Sequence, residues 1–149
     1  MTTLDLLLFV VLGCNTVWFA AGFQYFSFNP FAAAKLLVSR SQRDCPLFTT
    51  LAESGRFLGG MNAAFAALAL LLLVNRHLFT EPRQWALFAS VFALAHGSQF
   101  VLNVRVAGGT ATGKAPLWPV LKGPMLFILV MDGVLMLANA AWAAMQLAQ

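Results

Sequence analysis

Four long apolar stretches, separated by short polar loops, make up most of this 149-residue chain. They cover residues 4–26, 56–74, 85–104 and 124–144. A helix needs about 20 mainly apolar residues to cross a bilayer, because each residue advances it by about 1.5 Å. Charged residues make up only 9% of the chain, whereas an ordinary soluble domain contains roughly 25%. The sequence therefore predicts an all-α integral membrane protein, a single domain (1–149) folded as a four-transmembrane-helix bundle with up-down-up-down topology.

The basic residues predict how this bundle is oriented. Two of the expected loops, residues 27–55 and 105–123, contain six of them: Lys35, Arg40, Arg43, Arg105, Lys114 and Lys122. The opposite side has only Arg76 and Arg83. Because cytoplasmic loops are enriched in Lys and Arg, we expect both basic loops in the cytoplasm and both termini on the non-cytoplasmic side. Membrane topology accounts for most of the basic excess, and no basic run with interleaved aromatics indicates nucleic-acid binding.

Polar residues inside the apolar stretches are the main clues to function, because each costs free energy to bury in hydrocarbon. His96 lies nine residues before Arg105, and Asp132 lies ten residues after Lys122. If both basic residues mark the same membrane surface, the two side chains lie at similar depths, roughly 13 to 15 Å below it. We therefore expect His96 and Asp132 to meet near mid-membrane.

Further polar residues are expected to share this interior or its entrances. Gln99 and Asn103 lie on the His96 face of the third span, and Asn139 lies on the Asp132 face of the fourth. The full set of candidate ligand-binding residues is Asn15, Arg56, Asn62, His96, Gln99, Asn103, Asp132 and Asn139. Arg56 also has Glu53 three residues earlier, so the two charges are expected to pair at the membrane surface.

Three roles for such an interior stay open. Its hydrogen bonds can fix which helices are neighbours. It can bind the polar head of a lipid, sterol or quinone. It can also handle protons, with His96 and Asp132 as the candidate catalytic or proton-transfer pair. No metal site is expected, because these two residues provide too few ligands.

Several segments of the chain resemble known small membrane proteins. Asn15-Thr16, Arg56-Phe57, the run from Phe92 to Gly97 and Gly109-Thr110-Ala111 are similar to the four-span scaffold family of ergosterol biosynthesis. That resemblance implies a noncatalytic protein that tethers sterol C4-demethylation enzymes in the endoplasmic reticulum. The Arg-x-x-Gly-Gly sequence at Arg56 to Gly60 resembles the bacterial DoxX-like four-helix group.

Together these features predict a noncatalytic membrane scaffold or accessory subunit. Its expected partners are the lipid bilayer and either another membrane protein or a second copy of itself. The Ala-rich composition favours the bacterial inner membrane, and the sterol-scaffold resemblance makes the endoplasmic reticulum the alternative. Two other functions remain open: a small membrane enzyme acting on a lipophilic substrate, either glutathione-transferase-like or a quinone-linked oxidoreductase, and a proton-coupled transporter.

Overall fold

The computed structural model describes residues 3–111 and 117–149, and its regular elements within those ranges are all helices. The α-helices are α1 (Thr3–Phe28), α2 (Pro30–Leu37), α3 (Pro46–Val74), α4 (Pro82–Ala111) and α5 (Gly123–Leu147), with 3-10 turns at Arg40–Gln42 and Arg76–Leu78. Of these, α1, α3, α4 and α5 contain stretches long and apolar enough to cross a membrane. The structure confirms the predicted all-α fold with four membrane-spanning helices.

Proline marks where the helices after α1 begin. Pro30, Pro46 and Pro82 are the first residues of α2, α3 and α4, and Pro124 is the second residue of α5. Proline suits the first helical turn, because its fixed φ fits the helix and its missing N–H has no partner there anyway. Gly123, just before Pro124, has a φ of +56°. It therefore adopts the left-handed conformation that starts α5 and that glycine tolerates best.

All four spanning helices are longer than the predicted spans, and α3 and α4 exceed them most. α3 begins at Pro46, ten residues before Arg56, so Glu53 and Arg56 both lie within its length. α4 continues through Arg105, Gly108 and Gly109, which the sequence placed in a loop. The helix persists there because no proline interrupts it and because helix satisfies the backbone near the membrane. Lys114, a member of the same predicted loop, lies outside the described residues.

The helices pack as two pairs, α1 with α3 and α4 with α5, and the short helix α2 lies against α3. Small residues allow close approach within each pair. A Cβ on Gly59 of α3 would collide with Ser27 of α1, and a Cβ on Gly133 of α5 would lie 2.9 Å from the Phe100 ring of α4. Small residues at helix contacts are the usual basis of close packing in membranes.

Aromatic side chains join the two pairs in the centre of the bundle. Phe19 of α1 stacks on Phe65 of α3 with ring centroids 5.0 Å apart, and both rings contact Phe92 of α4. The surrounding core includes Trp142 of α5, so all four spanning helices contribute to it. By contrast, many large apolar side chains on the outer surface are exposed, including Phe57 at 82%. Such a surface is typical of helices whose outer faces contact lipid.

Candidate functional site

His96 and Asp132 form the centre of a buried polar network. His96 lies on α4 and Asp132 on α5, and neither side chain has any solvent-exposed surface. The His96 Nδ1 atom lies 3.0 Å from the Asp132 Oδ1 atom, which is hydrogen-bonding distance. The structure therefore brings together the two residues that depth counting placed at the same level.

Two asparagines extend the network from α5 to α1. The side-chain amides of Asn15 and Asn139 bond each other reciprocally, with N–O distances of 3.0 and 3.1 Å. The Asn139 Nδ2 atom also donates to the Leu135 carbonyl at 2.8 Å. The Asn15 Oδ1 atom lies 2.9 Å from His96 Nε2. A chain of side-chain contacts therefore runs from Asp132 through His96 and Asn15 to Asn139.

The directions of these bonds determine where the protons are. The Leu135 carbonyl can only accept, so it fixes which end of the Asn139 amide carries the NH2 group. The reciprocal pairing then fixes the Asn15 amide and turns its oxygen toward His96. Since an amide oxygen also only accepts, His96 Nε2 must carry a hydrogen and donate it.

One proton remains to be placed, in the contact between His96 Nδ1 and Asp132 Oδ1. Two lone pairs would repel each other at 3.0 Å, so this contact requires one hydrogen. Whether the nitrogen or the oxygen carries it, the pair as a whole has no net charge. Neutrality lowers the cost of burying the pair in a medium of low dielectric constant.

Trp18 completes the network and Phe19 packs against it, and neither residue was predicted from the sequence. Trp18 Nε1 donates to Asp132 Oδ1 at 3.0 Å, and its half-buried indole meets the Phe127 ring edge-on. Phe19 stacks on the His96 imidazole with centroids 4.6 Å apart. The only signal in the sequence was spacing, because Trp18 and Phe19 lie three and four residues after Asn15, on the same side of α1. We refer below to Asn15, Trp18, His96, Asp132 and Asn139 as the polar network.

The other candidate residues lie outside the network. Asn62 on α3 donates its amide to the Leu58 carbonyl one turn earlier, at 2.8 Å. Asn103 on α4 donates to the Gln99 carbonyl and accepts from Trp118, which ties the segment before α5 to α4. Each of these asparagines donates its side-chain amide to the carbonyl one turn earlier in its own helix.

Arg56 is likewise separate from the network. It lies on the exposed side of α3, where its Nε donates to Glu53 Oε2 at 2.7 Å and its Nη1 donates to the Ser27 carbonyl. Both charged side chains are 50% exposed. An ion pair at that exposure adds little stability, so the structure places Arg56 as a link between α3 and the end of α1.

Both ring nitrogens of His96 are occupied within the network. A histidine that works as a general base must present a free ring nitrogen to the substrate or nucleophile. Here Nε2 donates to an amide oxygen, and Nδ1 is engaged by the carboxyl group. Within residues 3–111 and 117–149, no group of three His, Cys, Asp or Glu side chains is arranged to hold a metal ion.

Comparison with known proteins returned no match to this chain among protein-family models, curated proteins or solved structures.

Proposed function

We propose that the protein is a noncatalytic scaffold or accessory subunit of a membrane enzyme complex. The observation that carries the proposal is the buried polar network, in which both ring nitrogens of His96 and the side-chain amides of Asn15 and Asn139 bond within the bundle. His96 and Asp132 are wholly buried, and Asn139 is 1% exposed. Interhelical hydrogen bonds of this kind specify which helices are neighbours.

The position of the network supports a structural role. Its members come from α1 on one side and from α4 and α5 on the other, so it joins the two helix pairs. Apolar contacts alone give little preference for one helix arrangement in lipid, because the lipid tails are equally apolar. A scaffold must present the same surface to its partner each time. This network supports that role because it holds the helices in one arrangement.

A bound lipid, sterol or quinone is compatible with this role. Trp18 is the half-buried member of the network, and its indole covers Asp132 from the side of α1. A lipophilic ligand with a hydroxyl group would have to displace that indole and donate to Asp132 in its place.

We also propose the orientation and the membrane. The excess of Lys and Arg in the segments around α2 and before α5 supports a cytoplasmic position for both, with the two termini on the non-cytoplasmic side. The Ala-rich composition supports the bacterial inner membrane.

Mild detergent extraction followed by native mass spectrometry tests the scaffold role. We expect the chain to be recovered with a larger membrane protein in a fixed ratio. His96→Ala removes both imidazole contacts and should reduce the folded fraction and the recovered partner together. Arg83→Ala, at an exposed position near the start of α4, should leave both unchanged. Recovery of a homo-oligomer alone, with turnover of its own, would contradict the proposal.

One observation favours proton handling as a second candidate. Asp132 Oδ2 is buried and has no hydrogen-bond partner among the described residues. An unpartnered carboxyl oxygen inside a membrane protein is a natural proton acceptor. This candidate predicts that proteoliposomes with the wild-type chain carry protons across the membrane under a pH gradient and that those with Asp132→Asn do not. The scaffold proposal predicts no difference between the two.

A further inference from the structure

The short helix α2 lies at the level of the lipid headgroups. Its Ala34 packs with Phe48 and Ala52 in the first turns of α3. α3 has 29 residues and is therefore about 43 Å long, whereas the hydrocarbon core of a bilayer is about 30 Å thick. The far end of α3 is apolar up to Val74, while Glu53 lies near its start. The excess length therefore falls in the first turns, where α2 is packed.

The outer face of α2 combines an aromatic ring with a basic side chain. Ala33 and Ala34 are buried, whereas Phe31 is 43% exposed and Lys35, four residues later on the same face, is also exposed. Phe28, at the end of α1, is exposed as well. Such a face suits the boundary between acyl chains and headgroups, because the rings can enter the acyl region while the ammonium group extends to the phosphates.

The turn that follows α2 adds two arginines beside Lys35. Arg40 is exposed. Arg43 folds back on the end of α2, where its Nε donates to the Val38 carbonyl at 3.1 Å and its Nη2 to the Lys35 carbonyl at 3.0 Å. Neither bond uses the Nη1 group, which keeps its two donors. A guanidinium group held in this way loses little freedom on binding, and its planar donors suit a phosphate group.

The charges around α2 are unbalanced in favour of the cations. Residues 29–56 contain four basic and two acidic side chains, and the acidic Glu53 is paired with Arg56. Only Asp44 is left to oppose the three basic side chains of α2 and the turn after it. In the part of the chain that the structure describes, neither Lys35 nor Arg40 forms an ion pair. The surface is thus complementary to a negatively charged headgroup.

We propose that residues 30–43 form a binding site for the headgroup of an anionic phospholipid, which we call the α2 site. Lys35, Arg40 and Arg43 contact the headgroup phosphate, and Phe31 lies among the acyl chains. Each basic residue near a membrane surface strengthens such binding about fivefold. The α2 site depends on the membrane-spanning fold but not on the scaffold role, so either proposal can fail without the other.

Native mass spectrometry of the full-length protein in a nonionic detergent tests the site. The protein is titrated with phosphatidylglycerol, which is anionic, and separately with phosphatidylcholine, which has no net charge. We expect the first phosphatidylglycerol to bind at least about twentyfold more tightly. Lys35→Gln with Arg40→Gln removes two exposed cations and leaves Arg43 on its carbonyls. This double variant should bind phosphatidylglycerol about tenfold or more weakly and phosphatidylcholine as before.

Arg105→Gln with Lys122→Gln is the matched control. Both residues are exposed, near the end of α4 and just before α5, so they lie at the same end of the up-down bundle as α2. This variant loses the same charge and should change phosphatidylglycerol binding by less than about twofold, because neither residue belongs to the α2 site.

Two outcomes would overturn the proposal. Equal losses in the two double variants would show that phosphatidylglycerol senses only the total charge at this end of the bundle. Equal affinity of the wild-type chain for the two lipids would show that the basic surface does not select a headgroup. Recovery of an acidic protein, released by Lys35→Gln with Arg40→Gln, would in that case assign the surface to a protein partner.

Discussion

Replacing Asp132 by Asn should destabilise the bundle, although the two side chains have nearly the same shape. Asp132 Oδ1 interacts with Trp18 Nε1–H on one side and with His96 Nδ1 on the other. If the Asn oxygen takes this place, it accepts the hydrogen bond from Trp18. His96 would then need hydrogens on both ring nitrogens, and it would carry a net charge. If the Asn NH2 group takes it, His96 is satisfied, but the Trp18 N–H faces another donor.

Every arrangement of the Asp132→Asn variant therefore leaves either a group without its partner or a net charge buried on His96. Leaving a buried donor unsatisfied costs about 1 to 3 kcal/mol, whereas a hydrogen bond between membrane helices averages about 0.6 kcal/mol. We expect a loss of about 1 to 2 kcal/mol in the free energy of unfolding, measured by reversible SDS unfolding from mixed micelles. Asp44→Asn changes the same atoms at an exposed loop position and should stay within about 0.5 kcal/mol of wild type.

Trp18→Phe provides the decisive comparison. It removes the conflicting indole N–H and keeps a ring against Phe127. In that background the Asn NH2 group can face His96 without opposing a donor, so Asp132→Asn should cost at least about 0.5 kcal/mol less than it does alone. Additive losses, with the same cost in both backgrounds, would refute the proposed arrangement of protons in the network.

Two further predictions concern packing and orientation. Gly59→Ala places a Cβ against Ser27 of α1 and should lower stability by about 1 to 3 kcal/mol in the same unfolding assay. Gly60→Ala meets nothing within 4 Å and should be neutral or slightly stabilising; equal losses would show that Gly59 is not a contact point. Cys45 is free and exposed, so with Cys14 replaced by Ala a membrane-impermeant maleimide should label it in inverted vesicles but not in intact cells. The reverse pattern would show that the segment before α3 is not cytoplasmic.

Depth counting could locate His96 and Asp132 together because a membrane supplies an external reference. The basic residues at the ends of adjacent antiparallel spans mark one surface, and a rise of about 1.5 Å per residue converts sequence distance into depth. Apolar length alone identified the four spanning helices, since hydrocarbon requires every backbone group to be bonded within the helix.

The same counting could not show which side chains bond each other. An asparagine in a helix can donate to the carbonyl four residues earlier, as Asn62 does to Leu58 and Asn103 does to Gln99. Such a residue lies inside a membrane-spanning helix and still takes no part in a shared site. Trp18 posed the opposite problem, because an aromatic residue in an apolar span gives no sign that its N–H binds a buried carboxyl group. Pairing of this kind depends on how the helices are rotated, and that rotation is set by tertiary packing.

The members of the polar network come from both helix pairs, which explains how these few groups can define the arrangement of all the spanning helices. The network links Asn15 and Trp18 of α1 with His96 of α4 and with Asp132 and Asn139 of α5, so it crosses from one helix pair to the other. Rotating α1 by one residue, about 100°, would carry Asn15 and Trp18 away from their partners together and leave several buried polar groups unsatisfied. Lipid-facing residues such as Val17 and Leu94 impose no comparable penalty, because lipid and protein interiors are equally apolar. The polar residues therefore select one arrangement among many of similar packing energy, and the exposed apolar surface that meets the bilayer or a partner protein takes its shape from that selection.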